Sequence, residues 1–478
     1  MTAAEYVLCL DCGATNVRAM LVDRVGNIIS KASQPNATFP GEESSDYHIW
    51  DDERIFQQLI DCTKEAIATL KDYTIKAVTI TTFGVDGALV DAQGKPIYPV
   101  ISWKCPRTAE IMAEIGSRIP QETLNQISGI GAFSFNTIYK LIWLKDHRPD
   151  LLQKAHSWLF ISNLLAHKLT GQFTTDKTMA GTSQLTDLKT GTFSDEILNA
   201  IGISPSLFPN IVEAGETVGH ISDQTAQQLG LPQLANIPVI STGHDTQFAI
   251  FGSGAKENQA VLSSGTWEIL MARSREACLT PEDYNDGATA EFDSQIDLRN
   301  PGLQWIGSGI IEWVKDTCFR GENYDTMDDE AAIIPPGSEG VTVVPEFLAS
   351  GTTHGSINGL VLGRTRGHIY RATLEALTYK LKSRLKRLEH IGHFKAENLI
   401  LVGGGAKNNI WTQMRADILG LPIMISTVTE STVLGASMFA WTGAGIYPSP
   451  ESARDAFNIS YKTFTPGKQQ IAYSQLAQ

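Results

Sequence analysis

The 478-residue chain is 42% hydrophobic and 19% charged, the balance of an ordinary globular protein, and its length predicts two domains rather than one core. A net charge of −14 argues against a nucleic-acid surface, which needs a positive field. A nucleotide ligand stays open, because backbone N–H groups and a metal ion offset phosphate charge locally.

The opening elements alternate strand and turn. "YVLCLD" is β-rich, "CGATN" breaks it, "VRAMLVD" resumes, and "RVGN" turns into "IISKAS", which predicts a three-stranded meander. A helix is expected from Asp52 to Lys71, with Ile55, Leu59, Ile60, Ala66, Ile67 and Leu70 near helical spacing. "KAVTITTFGVDGALVD" then reads as strand, glycine turn, strand. "FNTIYKLIWLKDH" is a helix with Ile138, Leu141, Ile142 and Leu144 on its apolar side. "IPVISTGHDTQFA" reads as strand, turn and helix start. "QAVLSSGTWEILMARS" repeats the opening strand–turn–strand, and "ENLILVGGGAKNNIWTQMRADILGLPI" is strand, glycine turn, helix. The repeat suggests a coarse duplication with a boundary near residue 250, giving domains 1–249 and 250–478.

Cys9 and Cys12 have the spacing of a redox or zinc pair, yet no second pair completes a tetrahedral site. Six cysteines in all fit a reducing compartment. There is neither a basic segment leading into an apolar run at the start nor an apolar stretch of about 18 residues. A cytoplasmic protein is expected, without nucleic-acid or membrane partners, as monomer or homodimer.

Four turns carry chemistry. In the first, Gly13 allows converging N–H groups, Thr15, Asn16 and Arg18 add donors and charge, and Asp11 is a hard carboxylate suited to Mg²⁺. An ordinary hairpin would read the same way. The second, Ser263 to Glu268, offers hydroxyls and Gly265 to another phosphate or is again a hairpin. The third, Gly403 to Asn408, lets backbone approach a flat ligand, and lacks the order of a dinucleotide fingerprint. In the fourth, Asp245 is either a base for a substrate hydroxyl or a helix cap.

Together these motifs resemble the FGGY carbohydrate kinases. "FNTIYKLIWLKDH" (Phe135 to His147) is similar to the first family signature, with Lys140 and Trp143 in place, and "GSINGLVLGRTRGHIYRATLE" (Gly355 to Glu375) to the second, with Gly359, His368, Ala372 and Glu375. The resemblance covers nearly the whole chain. It implies an α/β, two-domain actin-like ATPase (ribonuclease H-like) fold, each domain a mixed sheet flanked by helices, with ATP and sugar in the interdomain cleft. It implies ATP and Mg²⁺ as cofactor and metal, and a ketose as acceptor. L-fuculose phosphorylated at O1 is favoured over L-rhamnulose, L-ribulose or D-xylulose. A non-catalytic actin- or chaperone-like ATPase would share the hairpins but need neither Asp245 nor the two signatures.

By residue, the resemblance implies Asp11 at the metal and Gly13, Ala14, Thr15, Asn16, Arg18, Gly265 and Thr266 at the phosphates. Gly404, Gly405 and Asn408 fall at the adenosine, and Gly84, Asp86, Arg107, His244, Asp245, Thr246 and Asn300 at the sugar, with Asp245 the proton acceptor. Many relatives carry aspartate where this sequence has Cys105. A 6-deoxyketose also asks for an apolar wall, for which Phe83, Phe133, Phe135 and Phe248 are candidates. Trp50 reads either as a core aromatic or as part of the sugar pocket.

Overall fold

The computed structural model describes residues 3–348 and 354–476. The chain forms two compact units, one of residues 1–254, 279–300 and 428–459, the other of 255–278, 301–427 and 460–478. The boundary expected near 250 falls where the first long stretch of the first unit ends, but two later segments return to that unit.

The first unit is organised on a sheet with strand order Thr217–His220, Pro238–Ile240, Tyr73–Thr82, Ala4–Cys12, Asn16–Val22, Ile28–Pro35. The last three form the antiparallel meander that the turns at Gly13 and Gly26 predict, with Val7 opposite Val22 and Cys12 opposite Val17. Ala4–Cys12 and Pro238–Ile240 run parallel to Tyr73–Thr82. Strand alternation sends neighbouring side chains to opposite faces. Leu8, Leu10 and Cys12 join one core with the helix Asp52–Ile67, whereas Val7 and Cys9 join another with Phe248, Phe251 and the helix Ser431–Gly443.

The same alternation settles the Cys-x-x-Cys reading. Three residues apart on a strand, Cys9 and Cys12 point to opposite faces and cannot share a metal. Both are buried, and burial pushes both thiols up, away from the reactive thiolate.

The second unit repeats the layout. Ala260–Ser264 and Trp267–Ala272 form an antiparallel hairpin, residues 302–306 add a third antiparallel strand, and Leu399–Val402 and Ile423–Ser426 lie parallel on the other side. One of its cores sets Tyr370, Leu374 and Leu377 of the helix Arg366–Ile391 against Trp411, Met414 and Ile418 of the helix Asn409–Leu419. Among the described residues no helix is long and apolar enough to cross a membrane.

One predicted boundary moves. The helix expected to reach Lys71 ends at Ile67, because the chain reverses at Asp72, which adopts φ +50°, to enter the strand at Tyr73.

Two residues that the resemblance drew attention to serve the fold. Asp86 and Lys140 form an ion pair with both side chains at 0% exposure. The second Asp86 oxygen accepts from the Trp50 indole N–H at 2.7 Å and the Trp103 backbone N–H at 3.0 Å. Trp50 is therefore a core aromatic with a polar task. Lys140→Met would leave the carboxylate buried without its counter-charge. The expected loss is about 3–5 kcal/mol of unfolding free energy in denaturant titration; a loss below about 1 kcal/mol would show that the neutral donors suffice.

Candidate active site

Three adjacent parallel strands of the first unit end side by side, the usual place for ligands on an open α/β sheet. The Phe83 N–H donates to the Cys12 carbonyl at 3.2 Å, and the Thr82 N–H to the Gly243 carbonyl at 2.8 Å. This brings Asp11, Gly84 and the His244–Asp245 pair to one edge of the sheet.

Asp11 is 2% exposed. One carboxylate oxygen accepts from Arg18 Nε at 2.8 Å and Nη2 at 2.5 Å, the other from the Thr81 hydroxyl at 3.1 Å. Arg18 also gives Nη1 to Glu430 at 2.6 Å. Its guanidinium thus serves two carboxylates instead of pointing free toward a phosphate. Burial raises the Asp11 pKa, opposed by Arg18 and Thr81. Thr15 and Asn16 lie exposed at the hairpin tip. Asn36, which the sequence did not single out, holds the tip from behind: its side chain donates to the Gly13 carbonyl at 2.9 Å and its N–H to the Thr15 carbonyl at 2.8 Å.

Asp245 is not the helix cap. The helix runs Asp245–Gly252 with His244 as N-cap, so Asp245 is its first residue. His244 Nε2 stands 3.5 Å from the Asp245 carboxylate and Nδ1 3.6 Å from Glu291, distances of ion pairs rather than hydrogen bonds. Glu291 also accepts from Gln247 Nε2. Burial raises the Asp245 pKa, His244 lowers it, and Asp11 raises it further. Burial alone would lower His244, but Glu291 and Asp245 outweigh it and the imidazole is raised above its ordinary 6.5.

The turn is fixed from below. Asp176 accepts from the N–H groups of Thr178 and Met179 at 2.9 and 3.1 Å and from the Ser241 hydroxyl at 2.9 Å. The Thr178 hydroxyl in turn accepts from the His244 N–H at 2.9 Å. Burial pushes the Asp176 carboxyl up to about 6 against these hydrogen bonds. Gly84 is glycine for a steric reason: a Cβ there would lie 2.8 Å from His244 Nε2.

The other sugar candidates are more committed. Arg107 is buried in a cage, with its guanidinium carbon 3.9 Å from the Tyr47 ring centre and 4.7 Å from that of Trp143. It donates Nε to the Cys105 sulfur at 3.1 Å and Nη1 to the Tyr98 hydroxyl at 2.8 Å. Asn300 is buried and donates to Asp293 at 2.7 Å. Thr246 gives its hydroxyl to Asp245 at 3.3 Å.

In the second unit, Gly265 is half-buried and Thr266 exposed. Their carbonyls accept from the N–H groups of Ser308 and Gly307 at 3.0 and 2.9 Å, as Asn36 holds the first hairpin. The glycine turn packs on the same hairpin: Cβ atoms at Gly403 and Gly405 would lie 2.6 and 2.1 Å from Ser264 atoms, whereas one at Gly404 meets nothing within 4 Å. Gly404 is thus the glycine open to a ligand. Asn408 caps the helix Asn409–Leu419, accepting from the Trp411 N–H at 2.8 Å and donating to Asp328 and Tyr370 at 3.0 and 2.9 Å. Beneath the hairpin, Glu268 and Arg415 pair at 0% exposure, and the Ser264 hydroxyl donates to Glu268 at 3.0 Å.

Sequence reasoning missed Glu291, Glu430, Asn36 and Arg415. Each meets its partner through the fold alone, and none stands in a local motif.

The duplicated α/β unit with a turn-tipped hairpin in each sheet is a fold found in solved kinases. A xylulose kinase from Rhodospirillum rubrum superposes with a TM-score of 0.88 at 22% identity, over 98% of both chains. A glycerol kinase of Plasmodium falciparum solved with ADP gives 0.88 at 21% identity, over 100% of this chain and 98% of that one. In sequence, the N-terminal domain of the FGGY family of carbohydrate kinases matches residues 6–252 and its C-terminal domain residues 260–444. The chain belongs to the FGGY family of carbohydrate kinases and is a carbohydrate kinase. It is 50% identical to a protein named L-fuculokinase from Escherichia coli K12, over 97% of each chain. It is 45% identical to one from Haemophilus influenzae, over 96% of this chain and 99% of that one.

The His244 environment predicts a pH response. A group whose pKa is raised on folding adds stability in full below its unfolded value, and the gain is lost as pH rises through the folded one. In Glu291→Gln, histidine NMR titration should find His244 shifted to lower pH, with a smaller stability loss above it. An unchanged titration would leave Asp245 and Gln247 as the sources of the shift.

Proposed function

We propose that this chain phosphorylates L-fuculose at O1 with ATP and releases ADP. The observation that carries the reading is 45–51% identity to proteins named L-fuculokinase over at least 96% of the chain. A xylulose kinase of Lactococcus lactis is only 28% identical over a similar length, which weighs against that sugar.

The chemistry follows from the groups above. Asp245 accepts the O1 proton as the oxygen attacks the γ-phosphorus, and the bond to the departing ADP oxygen breaks in line. The desolvated carboxylate, made more basic by burial and by Asp11, is suited to that proton transfer. His244, held by Glu291 and by Thr178, positions Asp245 and faces the sugar with a proton to donate. The donors of the hairpin at Thr15 and Asn16 suit phosphate oxygens, as do those of the hairpin at Gly265 and Thr266. Gly404 lets the adenosine lie against backbone. The buried Asp11 carboxylate fits a hard divalent ion, with Asp245 and Glu430 adding negative charge nearby. Bound there, Mg²⁺ would offset the charge on the transferred phosphoryl group.

Burial narrows the wall for the sugar's methyl group. Phe248 is fully buried against Phe439, and Phe83 is 6% exposed and stacked on Trp50. Phe133 and Phe135 are half-buried and stacked on each other at 5.2 Å, and they remain available. In a coupled ADP-release assay over a ketose panel, L-fuculose should exceed a ketose lacking the methyl by ~10- to 200-fold in kcat/KM. Phe135→Ala should narrow that ratio. Equal kcat/KM for the two sugars in the native enzyme would refute the methyl contact.

Asp245→Asn keeps size and shape but cannot take the proton. Turnover should fall by ~10² or more, while calorimetric affinities for sugar and ATP hold. Near-native turnover in the folded variant would remove Asp245 from the base role.

A further inference from the structure

Outside the residues assigned to sugar and nucleotide, the second unit brings together three side chains of metal-binding type. One carboxylate oxygen of Glu276, the sulfur of Cys278 and one ring nitrogen of His393 all lie within 4.8 Å of one another, and all three residues are exposed. They come from two stretches of chain far apart in sequence, joined by backbone. The Cys278 N–H donates to the carbonyl of Ile391 at 2.9 Å, the last residue of the helix Arg366–Ile391. The Ser274 hydroxyl donates to the Glu276 carbonyl at 2.7 Å. His393, two residues past the helix, adopts φ +49°, a conformation histidine tolerates better than most residues. From there its Nδ1 meets the Glu276 carboxylate directly. A second imidazole, His390, has its ring centre 6.5 Å from that of His393.

The donor set is chemically selective. Thiolate, imidazole and carboxylate together suit Zn²⁺ and its transition-metal neighbours, not Mg²⁺, which takes oxygen ligands and keeps its water. Bond lengths of about 2.0–2.3 Å to a tetrahedral zinc put ligand atoms roughly 3.3–3.8 Å apart. Rotamer changes of about 1 Å in exposed side chains close the gap from the present spacing.

We propose that Glu276, Cys278 and His393 form a surface site for Zn²⁺, its fourth position filled by water or by His390. It is distinct from the Asp11 carboxylate and from the Cys9–Cys12 pair, whose thiols face opposite sides of a sheet. Bound metal ties the stretch 276–278 to the end of the long helix.

The test is titration of the tag-free, chelator-treated protein with Co²⁺, followed by displacement with Zn²⁺. One equivalent should bind with a thiolate-to-cobalt charge-transfer band in the near ultraviolet, and Zn²⁺ should erase it. Cys278→Ser should abolish the band. His393→Ala should weaken binding by ~10-fold or more, since loss even of an outer partner costs a metal site that much. The double variant Cys9→Ala/Cys12→Ser should keep the band. Mg²⁺-dependent kinase turnover should be unchanged in Cys278→Ser, as the site lies outside the catalytic groups. No charge-transfer band in the native protein, or one that survives Cys278→Ser, would overturn the proposal.

Discussion

A buried carboxylate at the end of the opening strand sets much of the first unit. Asp11 is 2% exposed, and an uncompensated charge there would cost several kcal/mol. Arg18 supplies the compensation from the next strand, and the same guanidinium reaches Glu430 at the mouth of the helix Ser431–Gly443. One side chain therefore fixes the hairpin, the strand end and the returning segment. Asp11 also acts on Asp245 through space, raising its proton affinity. The charge that braces this edge therefore also bears on the protonation of Asp245.

The second unit solves the matching problem differently. Its hairpin rests on the pair Glu268–Arg415, both at 0% exposure, with Arg415 stacked 3.6 Å from the Trp411 ring centre. Gly307 must lack a side chain because a Cβ would lie 2.4 Å from Glu268. Where the first hairpin keeps a carboxylate at its edge, the second sinks its charges beneath the turn. The two hairpins are therefore braced by charge in different ways.

Much of this was legible in the sequence. The hairpins and the strand–turn–helix stretches were readable because an apolar run, a small-residue turn and another apolar run leave few alternatives. Asp245 could be named, though not distinguished from a cap, since only the structure shows His244 occupying that position. Motif position marked Asp86 and Arg107 but did not reveal which protein partners hold their side chains. Their partners, Lys140 and Trp50 for one and the Tyr47–Trp143 cage for the other, lie far along the chain. Glu291 and Glu430 were invisible for the same reason: they belong to segments that rejoin the first unit through packing, and nothing local marks that return.

That return has a consequence for how the protein is made. The helix Asp245–Gly252 touches the helix Ser431–Gly443 backbone to backbone, so closely that a Cβ on Gly435 would lie 2.0 Å from the Phe248 carbonyl. Val433, Met438, Phe439 and Trp441 complete the core on one face of the opening sheet. A growing chain on the ribosome therefore carries that face bare through nearly all of its synthesis, and the first unit to be translated is among the last to be finished. Uncovered apolar surface of this kind is what chaperones hold and proteases find. Messages cut short before the codon for Glu430 leave the first unit without part of its core, a substrate for quality control.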